Sequence, residues 1–276
     1  MTIAAGFTHA HGVLLCTDTQ MTVGASKLDG LKLGEFSASW GRVIGAFAGD
    51  VDYAAAAFQR CENDRETKDM KKSPLKAIER IVADFYEAKI FKHPSFKKGD
   101  LGFSLLLGIR LKSGRAKFYR TTANVMREVK TFDCAGTGED AARDLLQRLY
   151  APNMTMTRAV SLASYVIHHV KEHVQYCGGH SDIVTLEHGN DPKGIYSPEC
   201  DQLARHIEES ACWFICEAQQ FMLGHTLGDR AAFEERFQIL KTRALRIRDR
   251  WDSRQSARSR HQETTDDPLS LPAWPE

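Results

Sequence analysis

The first nineteen residues constrain the fold more than any other stretch of the chain. They divide into two short runs rich in apolar and β-branched residues, Thr2 to Thr8 and Val13 to Thr19, joined by a His9-Ala10-His11-Gly12 turn. Two such runs around a short polar, glycine-bearing turn predict a β-hairpin whose first strand begins at residue 2. A polar loop from Thr22 to Gly30 follows. A second pair of strands then runs from Lys32 to Trp40 and from Val43 to Ala48 around Gly41-Arg42. Four strands before any helix, arranged as successive hairpins, favour an antiparallel sheet.

Helical periodicity starts after Gly49. Asp50 is placed to cap a helix through Tyr53 to Phe58, and a charged patch from Glu62 to Lys72 separates it from the next. Ser73-Pro74 predicts a helix start, and Leu75, Ile78, Ile81, Val82, Phe85 and Tyr86 recur at helical spacing. Strands return at Leu101 to Leu111, Ala116 to Tyr119 and around Val129 to Ala135. A helix through Leu145 to Tyr150, a second capped by Thr155 or Thr157, and a closing strand at Ile183 to Leu186 complete the pattern. The order is strands, two helices, strands, two helices, strand. It predicts an α+β architecture of two stacked sheets with a helical layer outside each, a four-layer αββα sandwich.

The chemistry starts at Thr2. If Met1 is removed, the chain opens with a threonine carrying a hydroxyl and a free α-amine on one residue. An α-amine titrates near ~8, so near neutral pH it can accept the hydroxyl proton as a general base. Thr2-Ile3, Gly6, Gly12-Val13-Leu14-Leu15 and Asp18-Thr19 resemble the first two strands of proteasome β-type subunits and of the bacterial HslV peptidases, which are N-terminal-nucleophile hydrolases. The resemblance extends over about residues 2 to 188, roughly two thirds of the chain.

The resemblance implies a role for each matching residue. Thr2 is the nucleophile and its own base. Lys32, reached through a loop two residues shorter than in the family, is the ammonium beside the threonine hydroxyl, and Asp18 pairs with it. Gly49 donates its backbone N–H to the oxyanion. Thr137, in Gly136-Thr137-Gly138, stands where the family has a serine near the terminal amine. The family's next aspartate and serine are replaced by Val174 and Cys177; HslV-type peptidases also lack that aspartate. The first substrate pocket maps to Met21, Gly30, Gly34, Phe47 and Val51, all apolar or small, which implies neutral, apolar residues before the cleaved bond. If Phe47 fills that pocket, only small residues fit. Cys16, between Leu15 and Thr17 on a strand buried on both sides, is expected to be a packed core thiol.

Composition sets outer limits. With 42% hydrophobic residues over 276 positions, the chain can bury a sizeable core, and a formal net charge of +1 gives no reason to expect a nucleic-acid or membrane partner. No apolar run of membrane-spanning length and no leader pattern is present. Seven cysteines without paired ligand spacing predict reduced thiols and a cytoplasmic setting rather than a disulfide framework. The expected organisation is a catalytic-type domain over 2–190, a helical extension over 191–255 and a disordered tail over 256–276. Lys241, Arg243, Arg246, Arg248, Arg250 and Arg254 form either a solvated helix face or a docking face for a neighbouring subunit or acidic partner. The resemblance implies a peptide or unfolded-protein substrate, ring-forming self-assembly, no metal or organic cofactor, and an ATPase partner on a separate chain, since no phosphate-binding Gly-x-x-x-x-Gly-Lys-Ser/Thr loop is present. A catalytically silent scaffold and a small-molecule amidase on the same fold are the alternatives.

Overall fold

The structure, a computed structural model, describes residues 2–23, 26–94, 101–112, 114–195 and 197–222, with further helical positions between 234 and 253. It forms two compact units, Met1–Arg205 and His206–Glu276. The opening hairpin is β1 (Ile3–His9) and β2 (Gly12–Asp18). All seven β2 residues are buried, as expected for a strand covered on both faces.

Around this hairpin the first sheet runs β10 (Phe132–Gly136), β1, β2, β11 (Ser181–Glu187), β12 (Lys193–Ile195). The second runs β5 (Leu33–Ala38), β6 (Gly41–Gly49), β7 (Phe103–Leu111), β8 (Ala116–Thr122), β9 (Val125–Val129). Every pairing in both sheets is antiparallel.

The two sheets face each other across Val13, Leu15, Ile44, Leu106 and Phe118. Close approach is built in at Gly6, where a Cβ would lie 2.6 Å from Leu15 Cδ2 and 2.7 Å from Phe118 Cζ. On the far side of the second sheet pack α1 (Val51–Asn63), the short α2 (Lys68–Lys72) and α3 (Pro74–Phe85). α3 continues through a π-turn over Tyr86–Ile90. On the far side of the first sheet lie α4 (Glu139–Leu149) and α5 (Met156–His173). This is the four-layer sandwich expected from the order of elements.

Several local expectations change. The 22–30 stretch is not a plain loop: Gln20–Val23 (β3) and Ser26–Asp29 (β4) pair as two short antiparallel strands separate from both large sheets. The single strand expected at Val129 to Ala135 is two strands, β9 and β10, that belong to different sheets; the chain crosses between sheets at Lys130-Thr131, which periodicity alone does not reveal. The stretch after Pro192 carries a further short strand, so the closing strand is β11 followed by β12. Asp50 caps α1 by accepting from Tyr53 N–H at 3.3 Å, and Thr155 rather than Thr157 caps α5. Ser73 precedes α3 but makes no side-chain cap bond.

α6 runs Ser197–Met222. In the second unit the described residues are helical, with Ile215, Phe237, Ile239 and Leu245 exposed. Lys241 and Arg246 are exposed as well, whereas Arg243, Arg248, Arg250, Arg254 and the 256–276 tail lie outside the described residues. No helix among the described residues is long and apolar enough to cross a membrane.

Phe118 is fully buried between the sheets. Phe118→Ala is expected to cost about 3–5 kcal/mol, read as a lower urea midpoint with an unchanged slope.

Candidate active site

Three predicted residues meet at one end of the sandwich because of where their strands begin and end. Thr2 immediately precedes β1, Asp18 ends β2, and Lys32 immediately precedes β5. The Lys32 carbonyl accepts Phe47 N–H of β6 at 2.9 Å, which ties its backbone to the second sheet. Thr2, Asp18 and Lys32 are each fully buried.

The Lys32 ammonium donates to Thr2 Oγ1 at 2.7 Å, to Asp18 Oδ1 at 2.8 Å and to the Gln20 carbonyl. An ammonium has three donors, so all three are used. Thr2 Oγ1 in turn donates to Asp18 Oδ1 at 2.6 Å. Asp18 is held from both sides: Oδ1 also accepts Ile3 N–H at 3.1 Å, and Oδ2 accepts Gly178 N–H at 3.0 Å. Burial pushes the Lys32 ammonium below the ordinary lysine range, and the adjacent Asp18 carboxylate opposes that shift. A buried cation beside a hydroxyl lowers the cost of an alkoxide at that oxygen.

A turn and a loop complete the surroundings. Gly136 has φ +105°, and a Cβ there would lie 2.2 Å from the Thr2 carbonyl oxygen, so the close approach requires glycine. Gly138 N–H donates to that same carbonyl at 3.4 Å. Thr137, between them, is exposed. Cys177 is buried beside Gly138, where a Cβ would stand 3.3 Å from its Sγ. Burial, reinforced by Asp18, pushes its thiol up to about 11, so it stays protonated and does not compete as a nucleophile. Cys16 is fully buried, its Sγ 3.5 Å from the Ala5 carbonyl, and burial raises its thiol well above the usual range. Gly49 ends β6 with φ +87°, and a Cβ there would lie 2.4 Å from the Gly102 carbonyl.

The turn at Gly136 rests on a charged network. Asp133, 1% exposed, accepts from Arg120 and Arg143 at 2.8 Å each and from Arg127. Arg120 also donates to the Cys134 carbonyl at 2.6 Å and, through both terminal nitrogens, to Glu139 at 3.0 and 3.2 Å. Burial pushes the Asp133 carboxyl up, but the Arg143 and Arg120 guanidinium groups, with the Cys134 N–H, outweigh it and hold it below its usual range. β10 and the start of α4, on either side of the turn, are thereby fixed to β8. Sequence reading missed this network, and the signal for it was weak: Arg120, Asp133 and Glu139 are separated in sequence.

The predicted pocket residues fall into two pairs and one separate residue. Met21 and Gly30 touch: a Cβ on Gly30 would sit 2.0 Å from Met21 Sδ. Phe47 is 4% exposed and packs on Phe58 with ring centroids 5.2 Å apart. Those two rings cover Gly34, where a Cβ would meet Phe58 Cε1 at 2.6 Å. Val51 is half-buried at the first position of α1. Phe58 was not foreseen, because its place over Gly34 and Gly45 depends on how α1 docks. A separate open cleft of about 450 Å3, lined in part by Glu35, Arg42, Arg65 and Asp191, contains none of the predicted site residues.

The lowered Lys32 pKa sets a sign. Between the folded-state pKa and about 10.5 the unfolded chain holds the proton more tightly, so stability rises with pH across that window. Lys32→Met lacks this titration and leaves Asp18 buried and unpaired, at a cost of about 3–5 kcal/mol. Urea unfolding from pH 8 to 11 should show the wild-type free energy rising relative to that of the variant.

With this geometry in view, comparison with known proteins is informative. The Proteasome subunit family model matches residues 2–186. A search of curated proteins finds no match. Among solved structures, Anbu from Hyphomicrobium sp. strain MC1 is similar at 16% identity with a TM-score of 0.63, over 78% of this chain and 97% of that one. Anbu (ancestral beta-subunit) from Yersinia bercovieri is similar at 12% identity and 0.65, over 78% and 97%. The helical assembly of the Anbu complex from Pseudomonas aeruginosa gives 12% and 0.66, over 84% and 99%. These identities speak to the fold. The fold and the family match over most of the first unit lead to one assignment: the chain belongs to the proteasome subunit family.

Proposed function

We propose that this protein is a threonine peptidase of the proteasome type, acting through Thr2 once Met1 has been removed. The observation that carries the reading is the fully buried Lys32 ammonium 2.7 Å from Thr2 Oγ1, with Asp18 bonded to both. In this reading the Thr2 α-amine takes the hydroxyl proton, Oγ1 attacks the scissile carbonyl carbon, and the oxyanion is received by Gly49 N–H. The amine returns its proton to the leaving nitrogen, and the C–N bond breaks to leave an acyl ester on Thr2. Water, deprotonated by the same amine, then hydrolyses the ester. Lys32 stays protonated and stabilises the alkoxide, while Asp18 fixes its position.

Thr137 and Cys177 stand on the turn and the loop beside Thr2 and in this reading help to orient the amine. The pocket would be formed by Met21, Gly30, Gly34, Phe47 and Val51. Substrates would be peptides or unfolded proteins in the cytoplasm, delivered to a self-assembled particle, with a separate ATPase chain supplying folded targets. The helical assembly described for the Pseudomonas aeruginosa relative supports self-assembly. A silent scaffold is the second reading, favoured by Val174 and Cys177 in place of the family's aspartate and serine.

The deciding measurement is intact mass of native-start protein before and after a peptide epoxyketone that reacts with N-terminal threonines. Loss of Met1 and one adduct on Thr2, absent in Thr2→Ala, is expected; a free Thr2 that never reacts in the assembled particle would select the scaffold. On a peptide panel, cleavage after small neutral residues is expected, since the buried Phe47 ring restricts the pocket. Clear preference for acidic or basic residues there would refute the pocket assignment.

A further inference from the structure

α5 carries a histidine pair that the proposed chemistry does not use. His169 and His173 are one helical turn apart on the same face. Their ring centroids lie 4.3 Å apart at an interplanar angle of 56°, and the nitrogen atoms they offer lie within 4.8 Å of each other. His173 is exposed and His169 half-buried, with the Tyr165 ring 6.0 Å from His169 on its other side. The neighbouring His168 is buried in the core.

We propose that His169 and His173 form a bidentate site for a divalent transition-metal ion, copper(II), nickel(II) or zinc(II). Imidazole nitrogen suits these ions, whereas magnesium and calcium select oxygen ligands. Metal–nitrogen bonds of about 2.0–2.1 Å put two ligating nitrogens roughly 3 Å apart, a separation these two rings reach by rotating about their side-chain bonds. Water fills the remaining positions.

A second histidine neighbourhood among the described residues fits worse. His9 Nδ1 accepts His11 N–H at 3.3 Å, His188 Nδ1 accepts Ala116 N–H at 3.0 Å, and the His9 and His11 rings are 6.5 Å apart. The His9 and His188 rings each have Nδ1 committed to a backbone N–H.

The location gives the site a structural consequence. His173 is the last residue of α5; Val174 N–H bonds back to the Val170 carbonyl at 2.9 Å, Cys177 N–H bonds to the Val174 carbonyl at 3.2 Å, and Gly178 N–H reaches Asp18 at 3.0 Å. A metal bridging one turn clamps the helix end from which the chain runs to Asp18.

The test is isothermal titration of the full-length, tag-free protein at pH 7.5 with copper(II), nickel(II), zinc(II) and magnesium chlorides. One ion per chain is expected, tightest for copper(II) as the Irving–Williams order requires, with no magnesium binding and a raised melting temperature in saturating zinc. Electron paramagnetic resonance of the copper(II) form should report two nitrogen ligands. His169→Ala and His173→Ala should each weaken binding by at least roughly tenfold, while His11→Ala leaves it unchanged. Should His169→Ala fail to fold, His173→Asn, at an exposed position, carries the test. Absence of transition-metal binding, or binding that survives both α5 substitutions, overturns the proposal.

Discussion

The bonding of one ammonium group organises the site. Lys32 is fully buried, and its three donors have three acceptors: a hydroxyl, a carboxylate and a backbone carbonyl. A buried cation is tolerated only when paired and fully hydrogen-bonded, so the carboxylate and the carbonyl cannot be surrendered without cost. That requirement fixes the end of β2 through Asp18, the start of β3 through Gln20 and the start of β5 through Lys32 itself. The two sheets are thereby registered against each other at the end where Thr2 enters β1. The same bonds that satisfy the ammonium present it to the Thr2 hydroxyl, so stability and chemistry draw on one arrangement.

A second charged group holds the other wall. Asp133 and Glu139 gather Arg120, Arg127 and Arg143, and the turn between the two acids carries Gly136 and Gly138 against the Thr2 carbonyl. Because Asp133 is almost fully enclosed and Arg120 nearly so, their pair is screened far less than a surface pair. The loop on the opposite side is clamped by bonds from backbone N–H groups, including the Gly178 N–H bond to the Asp18 carboxylate. Gln20 N–H donates to the Gly178 carbonyl at 3.1 Å and His180 N–H to Thr19 Oγ1 at 2.7 Å. Cys177 therefore sits in a loop that is fixed by its neighbours, whatever its own side chain does.

Much of this was legible in the residues. The opening hairpin followed from alternation of short apolar runs with a glycine turn, and the αββα order followed from where the pattern switched between two-residue and helical periods. Thr2 and Asp18 could be singled out because their spacing matched a family pattern, and Lys32 by allowing a loop two residues shorter; the structure brings the three within hydrogen-bond distance. What could not be read were features that arise between distant segments. The β3–β4 pair has too few apolar residues to signal strands. The change of sheet between β9 and β10 could not be read either, since only Lys130 and Thr131 separate the two strands.

The sequence by itself determined the sheet-rich start, the helical pairs, the sandwich class and the residue types available at the site, because these depend on local propensity and on burial patterns of short period. Only the tertiary structure decided that Phe58 covers Gly34 and that Arg120 ties β8 to the Gly136 turn. Each of those depends on where side chains from packed elements end up relative to one another. Packing is decided by the whole set of contacts at once, and no window of sequence contains that set.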